Sequence, residues 1–158
     1  SDVYKRQGKI SMGSAGPYQI KQKLITKGIN SLIIDQALSN IYNEEKQIDV
    51  AYKLAEKTSR TYGQRLTLKQ LKDKIIQNLI NKGFTYSISS TALESLELQT
   101  DEENEAQILY TALEKVAKRY SKNYDGYERK QKVTQALARK GFSYDDISSA
   151  LHDYTFPE

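Results

Sequence analysis

The chain has 158 residues, a length that suits one ordinary domain or a few small repeats. It contains no cysteine and a single histidine, His152, which excludes disulfides, thiol nucleophiles and cysteine- or histidine-rich metal sites. The formal net charge is +4, and no run approaches the roughly 18 consecutive apolar residues of a membrane span. We expect a helical, monomeric, cytoplasmic protein that is not an enzyme, needs no cofactor and does not associate with membranes.

The N-terminal segment, residues 1–15, predicts a disordered lead-in. Its first part, residues 1–7 (SDVYKRQ), resembles a translated adaptor sequence and is interpreted as non-native. Pro17 follows Gly16 and suits the first position of a helix. Residues 16–43 are then predicted to form a partial first repeat.

Three segments of the chain read alike: LITKGI (24–29), LINKGF (79–84) and LARKGF (137–142). Each is followed by an Ala-Leu pair at the same distance. Residues 44–96, moved along by 58 positions, align with residues 102–154 without a gap and with many identities. Such self-similarity at a fixed spacing indicates tandem units of about 55 residues.

Each complete unit reads as three helices. Apolar residues recur at steps of three and four, as in Leu68, Leu71, Ile75 and Leu79. No useful stretch alternates with period two, so no sheet is expected. The predicted fold class is therefore all-α, with tandem repeats of three-helix modules. The second three-helix repeat is predicted at 44–98 and the third at 99–158.

The helix ends carry recognisable signals. Three capping-box patterns predict helix starts, and they pair Thr67 with Gln70, Thr100 with Glu103, and Asp125 with Glu128. Each Lys-Gly pair predicts a helix end with a left-handed glycine; these glycines are Gly28, Gly83 and Gly141. The apolar residues that recur beside these turns are predicted to be core, namely Leu24, Leu79, Leu137, Ala37, Ala92 and Ala150.

Basic residues concentrate in two bands, 57–82 and 115–140, while 85–114 contains acidic residues and no lysine or arginine. A basic stripe across successive repeats would neutralise phosphates or meet an acidic protein surface. The alternative is an ordinary solvated helix face with lysines at helix C-termini. The basic candidates for binding a partner or DNA are Lys57, Arg60, Lys69, Lys72, Lys74, Lys82, Lys115, Lys118, Arg119, Lys122, Arg129, Lys130, Lys132, Arg139 and Lys140.

Two tyrosines join these candidates. Tyr124 and Tyr127 stand beside basic residues and have no tyrosine counterpart in the second repeat. Aromatic residues among basic ones hold single-stranded nucleic acid by stacking. Each helix after a Lys-Gly turn, by contrast, carries acidic residues and no lysine or arginine, so we do not expect it to read a DNA groove.

The segment GPYQIKQKLITKGI (16–29), followed by Ala37-Leu38, resembles the repeat of the RecX family of recombination regulators. Ala55, Lys57, Tyr62-Gly63, Lys82-Gly83-Phe84 and Ile88 also match the family's following repeat. The resemblance covers roughly residues 16–154. Known members carry additional sequence before the Gly-Pro segment, including another repeat, so the chain is interpreted as an N-terminally truncated member.

The resemblance implies an elongated, curved array of three-helix modules. It also implies that the protein binds the RecA recombinase filament on single-stranded DNA, lies in the filament groove, and inhibits recombinase and coprotease activities. Weak direct contact with single- or double-stranded DNA is a secondary expectation. Two alternatives remain open: a helical protein that binds nucleic acid directly without a protein target, and a passive helical-repeat scaffold.

Overall fold

The computed structural model describes residues 15–157, and every regular element within them is an α-helix. The predicted lead-in therefore lies outside the described residues apart from Ala15, and the interpretation of residues 1–7 lies wholly outside them. The described residues form eight helices: α1 (Pro17–Thr26), α2 (Ser31–Ile41), α3 (Glu44–Tyr62), α4 (Leu68–Asn81), α5 (Tyr86–Ser95), α6 (Glu102–Ser121), α7 (Gly126–Arg139) and α8 (Tyr144–Asp153). The predicted all-α class is confirmed.

The helices form two compact units. Unit 1 comprises the described residues up to Gly63 together with Leu71–Leu98, and unit 2 comprises Gln64–Gln70 and Gln99 onward. In unit 1, α1 packs against α2 and α3 packs against α5. In unit 2, α6, α7 and α8 pack against one another. The division into repeats at 16–43, 44–98 and 99–158 stays a prediction.

Each unit has its own apolar core, built from the helix faces that the three- and four-residue spacing predicts. The core of unit 1 includes Ala51 and Ala55 of α3, Ile75 of α4 and Ile88 of α5. The core of unit 2 is formed by the buried side chains Leu109, Leu113, Val116, Val133, Ala136, Leu137, Phe142, Ile147 and Leu151.

The predicted core residues differ in how deeply they are buried. Leu79, Leu137 and Ala92 are fully buried, whereas Leu24 and Ala150 are half-buried. The prediction for Ala37 is wrong, because its side chain is exposed on α2. Within residues 15–157 no helix covers this face of α2, where Ile33 is 61% exposed. The matching face of α5 is covered by α3.

The glycines after the Lys residues are confirmed as left-handed, with φ of 87° at Gly28, 99° at Gly83 and 100° at Gly141. Gly83 is also a point of close approach within unit 1. Its carbonyl oxygen accepts the N–H of Tyr18 at 3.1 Å. A Cβ at Gly83 would lie 2.5 Å from the backbone nitrogen of Gln19, so the start of α1 requires glycine there.

The capping box at the start of α4 is confirmed in both directions. The Thr67 N–H donates to Gln70 Oε1 at 3.0 Å, and the Gln70 N–H donates to Thr67 Oγ1 at 3.1 Å. Gln70 has a further role within unit 2, since its Nε2 donates to the Lys140 carbonyl at 2.6 Å. The side chain therefore ties the start of α4 to the end of α7.

The other two capping predictions are wrong in detail. Helix α6 is capped by Asp101, one residue later than predicted, and its side chain accepts the Asn104 N–H at 3.2 Å. Asp125 precedes α7 but makes no capping hydrogen bond with its side chain. Gly126, the first residue of α7, has a φ of 55°, so the first turn is irregular where that bond would form.

Candidate interaction surfaces

The basic candidates occupy the outer faces of α3, α4, α6 and α7 and the residues that follow these helices. Most are exposed, and Lys82, Arg129 and Lys132 are half-buried. Two helix triplets correspond to the internal repeat, α3–α5 and α6–α8. Five candidates of the first triplet recur as basic residues 58 positions later in the second, as the pairs Lys57/Lys115, Arg60/Lys118, Lys72/Lys130, Lys74/Lys132 and Lys82/Lys140. The same helix positions therefore carry positive charge in both units.

These positive charges are largely without acidic partners in the part of the chain that the structure describes. Its two ion pairs join Lys21 to Asp35 at 2.8 Å and Arg60 to Glu56 at 3.4 Å. Arg60 is thus the one basic candidate with a carboxylate partner among residues 15–157. Most of the remaining candidates are exposed and can therefore reach an external anionic group.

Several candidates contact aromatic rings. The Lys74 ammonium lies 4.8 Å from the centroid of the Tyr62 ring, and the Lys132 ammonium lies 5.5 Å from that of Tyr124. Tyr124 is half-buried, and its ring centroid is 6.0 Å from that of Tyr120. Because such cation–π contacts stabilise the fold, Lys74, Lys132 and Tyr124 have a structural role as well.

Arg129 and Tyr127 differ sharply in their surroundings. The Arg129 guanidinium lies 4.1 Å from the Phe156 ring centroid, and its buried Nε has no hydrogen-bond partner within residues 15–157. Tyr127 is 76% exposed, and its hydroxyl accepts a hydrogen bond from Gln131 Nε2 at 3.1 Å. Of the two tyrosine candidates, Tyr127 is the one that presents an open ring surface.

Unit 2 contains a groove of about 1050 Å³, which the sequence did not predict. It lies between the first half of α6, helix α8 and the segment that leads into α4. Lys69 lines this groove together with the carboxylates of Glu102 and Glu103. Lys69 therefore shares this groove with acidic side chains, although it belongs to a basic band in the sequence.

The tyrosines of this groove have a distinct electrostatic environment. The ring centroids of Tyr110 and Tyr154 are 6.2 Å apart in an edge-on arrangement. Burial raises the pKa of Tyr154, and the Glu114 carboxylate and Tyr110 add to that increase. The sequence shows an acidic band over 85–114, but it does not indicate that some of these acids meet residues of α8 at one groove.

The fold and its repeated basic positions define an all-α protein built from related helix triplets. The family model described as "RecX, third three-helix domain" matches residues 44–93 and again residues 102–151. The two matches are offset by the same 58 positions as the internal repeat. The chain therefore belongs to the RecX family, and the resemblance seen in the sequence is confirmed.

Individual relatives agree with this assignment. The chain is 92% identical over 152 residues to "Regulatory protein RecX" of Lactococcus lactis subsp. lactis (strain IL1403), covering 96% of this chain and 56% of the relative. The protein of the same name from Streptococcus sanguinis (strain SK36) is 47% identical over 148 residues, covering 94% of this chain and 56% of the relative. The chain spans about half the length of the curated relatives it matches. No solved structure matches the chain.

Two further properties concern the helices and the acidic side chains of residues 15–157. Within them, no helix combines the length and the apolar character needed to cross a bilayer. In the same part of the chain, no group of three or more His, Asp or Glu side chains is placed to hold a metal ion.

Proposed function

We propose that this chain is part of a regulatory protein that binds the RecA recombinase filament on single-stranded DNA and inhibits its recombinase and coprotease activities. Membership of the RecX family supports this function. The observation that carries it is the recurrence of exposed basic residues at matching positions of the two helix triplets, as in Lys57/Lys115 and Lys72/Lys130.

Repeated positive positions suit a filament, because a filament also presents its subunits at regular intervals. One exposed ion pair contributes only about 0.2–1 kcal/mol, so a single lysine does not hold a partner. Several such contacts made at once raise the apparent affinity through effective concentration. The proposed inhibition is therefore steric and multivalent, and it involves neither catalysis nor a cofactor. We further propose that the chain acts as a cytoplasmic monomer.

The test is single-stranded-DNA-dependent ATP hydrolysis by RecA, measured with increasing amounts of this chain. We expect inhibition at concentrations too low to coat the bare DNA. The double charge reversal Lys72→Glu with Lys130→Glu is expected to raise the half-inhibiting concentration about tenfold, because two attractive contacts with anionic groups of the partner become repulsive.

The matched control is Lys46→Glu with Lys53→Glu. Both residues are exposed on α3 and lie outside the candidate set. The control also replaces two lysines by two glutamates, so it changes the net charge by the same amount. The control is expected to change inhibition less than twofold. Equal effects of the two double variants would contradict the proposed surface.

Direct binding to nucleic acid is the second candidate function, and the open ring of Tyr127 among basic residues favours it. Binding of the chain to the same single-stranded DNA without RecA separates the two. Tight, salt-sensitive DNA binding without inhibition of RecA would establish the direct binder. If the chain had neither effect, the passive scaffold would stand.

A further inference from the structure

The groove in unit 2 has an apolar and aromatic interior. Leu109 and Phe142, each 8% exposed, belong to the unit's core and contribute to the groove lining. Tyr110 and Tyr154 add two aromatic rings in mutual edge-on contact. All of these residues belong to unit 2, so the groove is a feature of one compact body.

The same groove carries carboxylates without basic partners. Glu102, Glu103, Asp146 and Asp153 line it and are exposed, and none makes an ion pair within residues 15–157. A fifth carboxylate, Glu105, accepts the backbone N–H of Leu68. Among the described lining residues, Lys69 is the one basic side chain. The groove is therefore strongly negative in a chain whose net charge is +4.

Helix stabilisation accounts for only some of these acids. Glu102, Glu103 and Asp146 lie in first turns, where negative charge is favourable. Asp153 is the last residue of α8, where the helix dipole disfavours a carboxylate.

The other helix triplet shows that the fold does not require all of these acids. Ile88 and Ser95 stand 58 positions before Asp146 and Asp153 in the aligned repeat. Ile88 is buried in unit 1, whereas Asp146 is exposed and lines the groove. The two carboxylates are thus specific to unit 2.

We propose that this groove is a docking site for an arginine-containing, extended segment of a protein partner. Carboxylates bind guanidinium groups through paired hydrogen bonds, and tyrosine rings attract the same cations across their faces. The leucine and phenylalanine side chains suit the apolar residues of such a segment. The volume lies at the upper end of ordinary ligand clefts and so accommodates several residues.

Nucleic acid is the wrong occupant, because phosphates would meet unpaired carboxylates at this face. The groove differs from the proposed basic surface in the sign of its charge, and Lys69 is the one basic candidate that lines it. The inference rests on unit 2 alone and does not depend on the proposed action on the RecA filament.

The test is a binding titration of a short labelled peptide, in which arginine alternates with leucine, followed by fluorescence anisotropy at low salt. We expect saturable binding, and at least about fivefold weaker binding of the peptide in which glutamine replaces arginine. The lysine version is expected to bind severalfold more weakly than the arginine peptide, because lysine lacks the planar guanidinium.

Asp146→Asn with Asp153→Asn is the diagnostic variant, and we expect it to weaken peptide binding about tenfold by removing two carboxylates. Glu44→Gln with Glu45→Gln is the matched control, because these exposed first-turn acids of α3 align with Glu102 and Glu103. The control changes net charge equally and is expected to alter binding less than twofold.

Ser149→Arg provides a second variant, since it places a cation among the residues that line the groove. It is expected to abolish peptide binding while far-UV circular dichroism stays unchanged. If the diagnostic variant and its control weakened peptide binding equally, the loss of affinity would be due to net charge alone, and the proposal would be overturned. Failure of the arginine peptide to bind, or binding of arginine and lysine peptides with equal affinity, would overturn it as well.

Discussion

Helices α1–α2 and α4–α5 carry the same repeat within unit 1, yet they bury it differently. Leu24 corresponds to Leu79, and Ala37 corresponds to Ala92, at a distance of 55 positions. Leu79 and Ala92 are fully buried, whereas Leu24 is half-buried and Ala37 is exposed. Helix α3 packs against α5, whereas Ala37 and Ile33 on the matching face of α2 are exposed. The repeat motif thus specifies the helices and the turn, while burial depends on a neighbouring helix.

The largest expected difference between the two pairs concerns the leucine before the turn. Leu79→Ala should lower the free energy of unfolding by about 3 kcal/mol, because it leaves a cavity at a fully buried site. Leu24→Ala should cost about half as much, since that side chain is already half in contact with solvent. Urea unfolding followed by circular dichroism measures both. Equal losses would show that the two pairs are equally buried in solution.

The turn glycines test the same comparison at the backbone. Gly28→Ala is expected to cost about 1 kcal/mol, because alanine is strained at positive φ and nothing else lies within 4 Å of the new Cβ. Gly83→Ala carries the same strain and also forces the start of α1 away from the turn, so a loss of about 2 kcal/mol or more is expected. Thermal unfolding of the two variants gives the ranking, and a greater loss at Gly28 would contradict the observed contact.

The smallest effect concerns Tyr42, which follows α2 and is 3% exposed. Its hydroxyl donates to the Ala15 carbonyl at 3.0 Å, so Tyr42→Phe should cost about 1 kcal/mol. Burial raises the pKa of Tyr42 from 10.0 to about 12. As the pH rises, the Tyr42 hydroxyl therefore loses its proton in the unfolded chain before it does so in the folded chain. Its contribution to the free energy of unfolding is complete below pH 10 and declines towards pH 12.

The pH effect is measured as the difference between the original chain and Tyr42→Phe, which cancels the contribution of the other tyrosines. We expect the stability advantage of the original chain to shrink above pH 10. An advantage that stays constant up to pH 12 would mean that Tyr42 titrates alike in the folded and unfolded states.

Local signals in the sequence predicted much of the fold. The positive φ of Gly83 and the reciprocal bonds of Thr67 and Gln70 follow from residues that are close together in the chain. The exposure of Ala37 could not be predicted in this way, because it depends on whether another helix packs over α2.

The groove also lay beyond sequence reasoning. Asp146 and Glu102 are far apart in the sequence, and only the packing of α8 with α6 brings them to one groove. Lys69 lines the same groove as these acids, although the charge pattern along the chain places it in a basic band. The sequence therefore predicts which basic and aromatic residues are candidates for a surface, but it does not predict what each of them contacts.

The side-chain amide of Gln70 has a consequence for which substitutions this position tolerates. A capping box in general accepts either glutamate or glutamine at its last position. Here Oε1 accepts from Thr67 while Nε2 donates to the Lys140 carbonyl, so the two ends of the amide are not interchangeable. Glutamate would preserve the cap and set an oxygen against that carbonyl. Chemical deamidation of this single residue would accordingly loosen the junction between two helix ends without disturbing either helix.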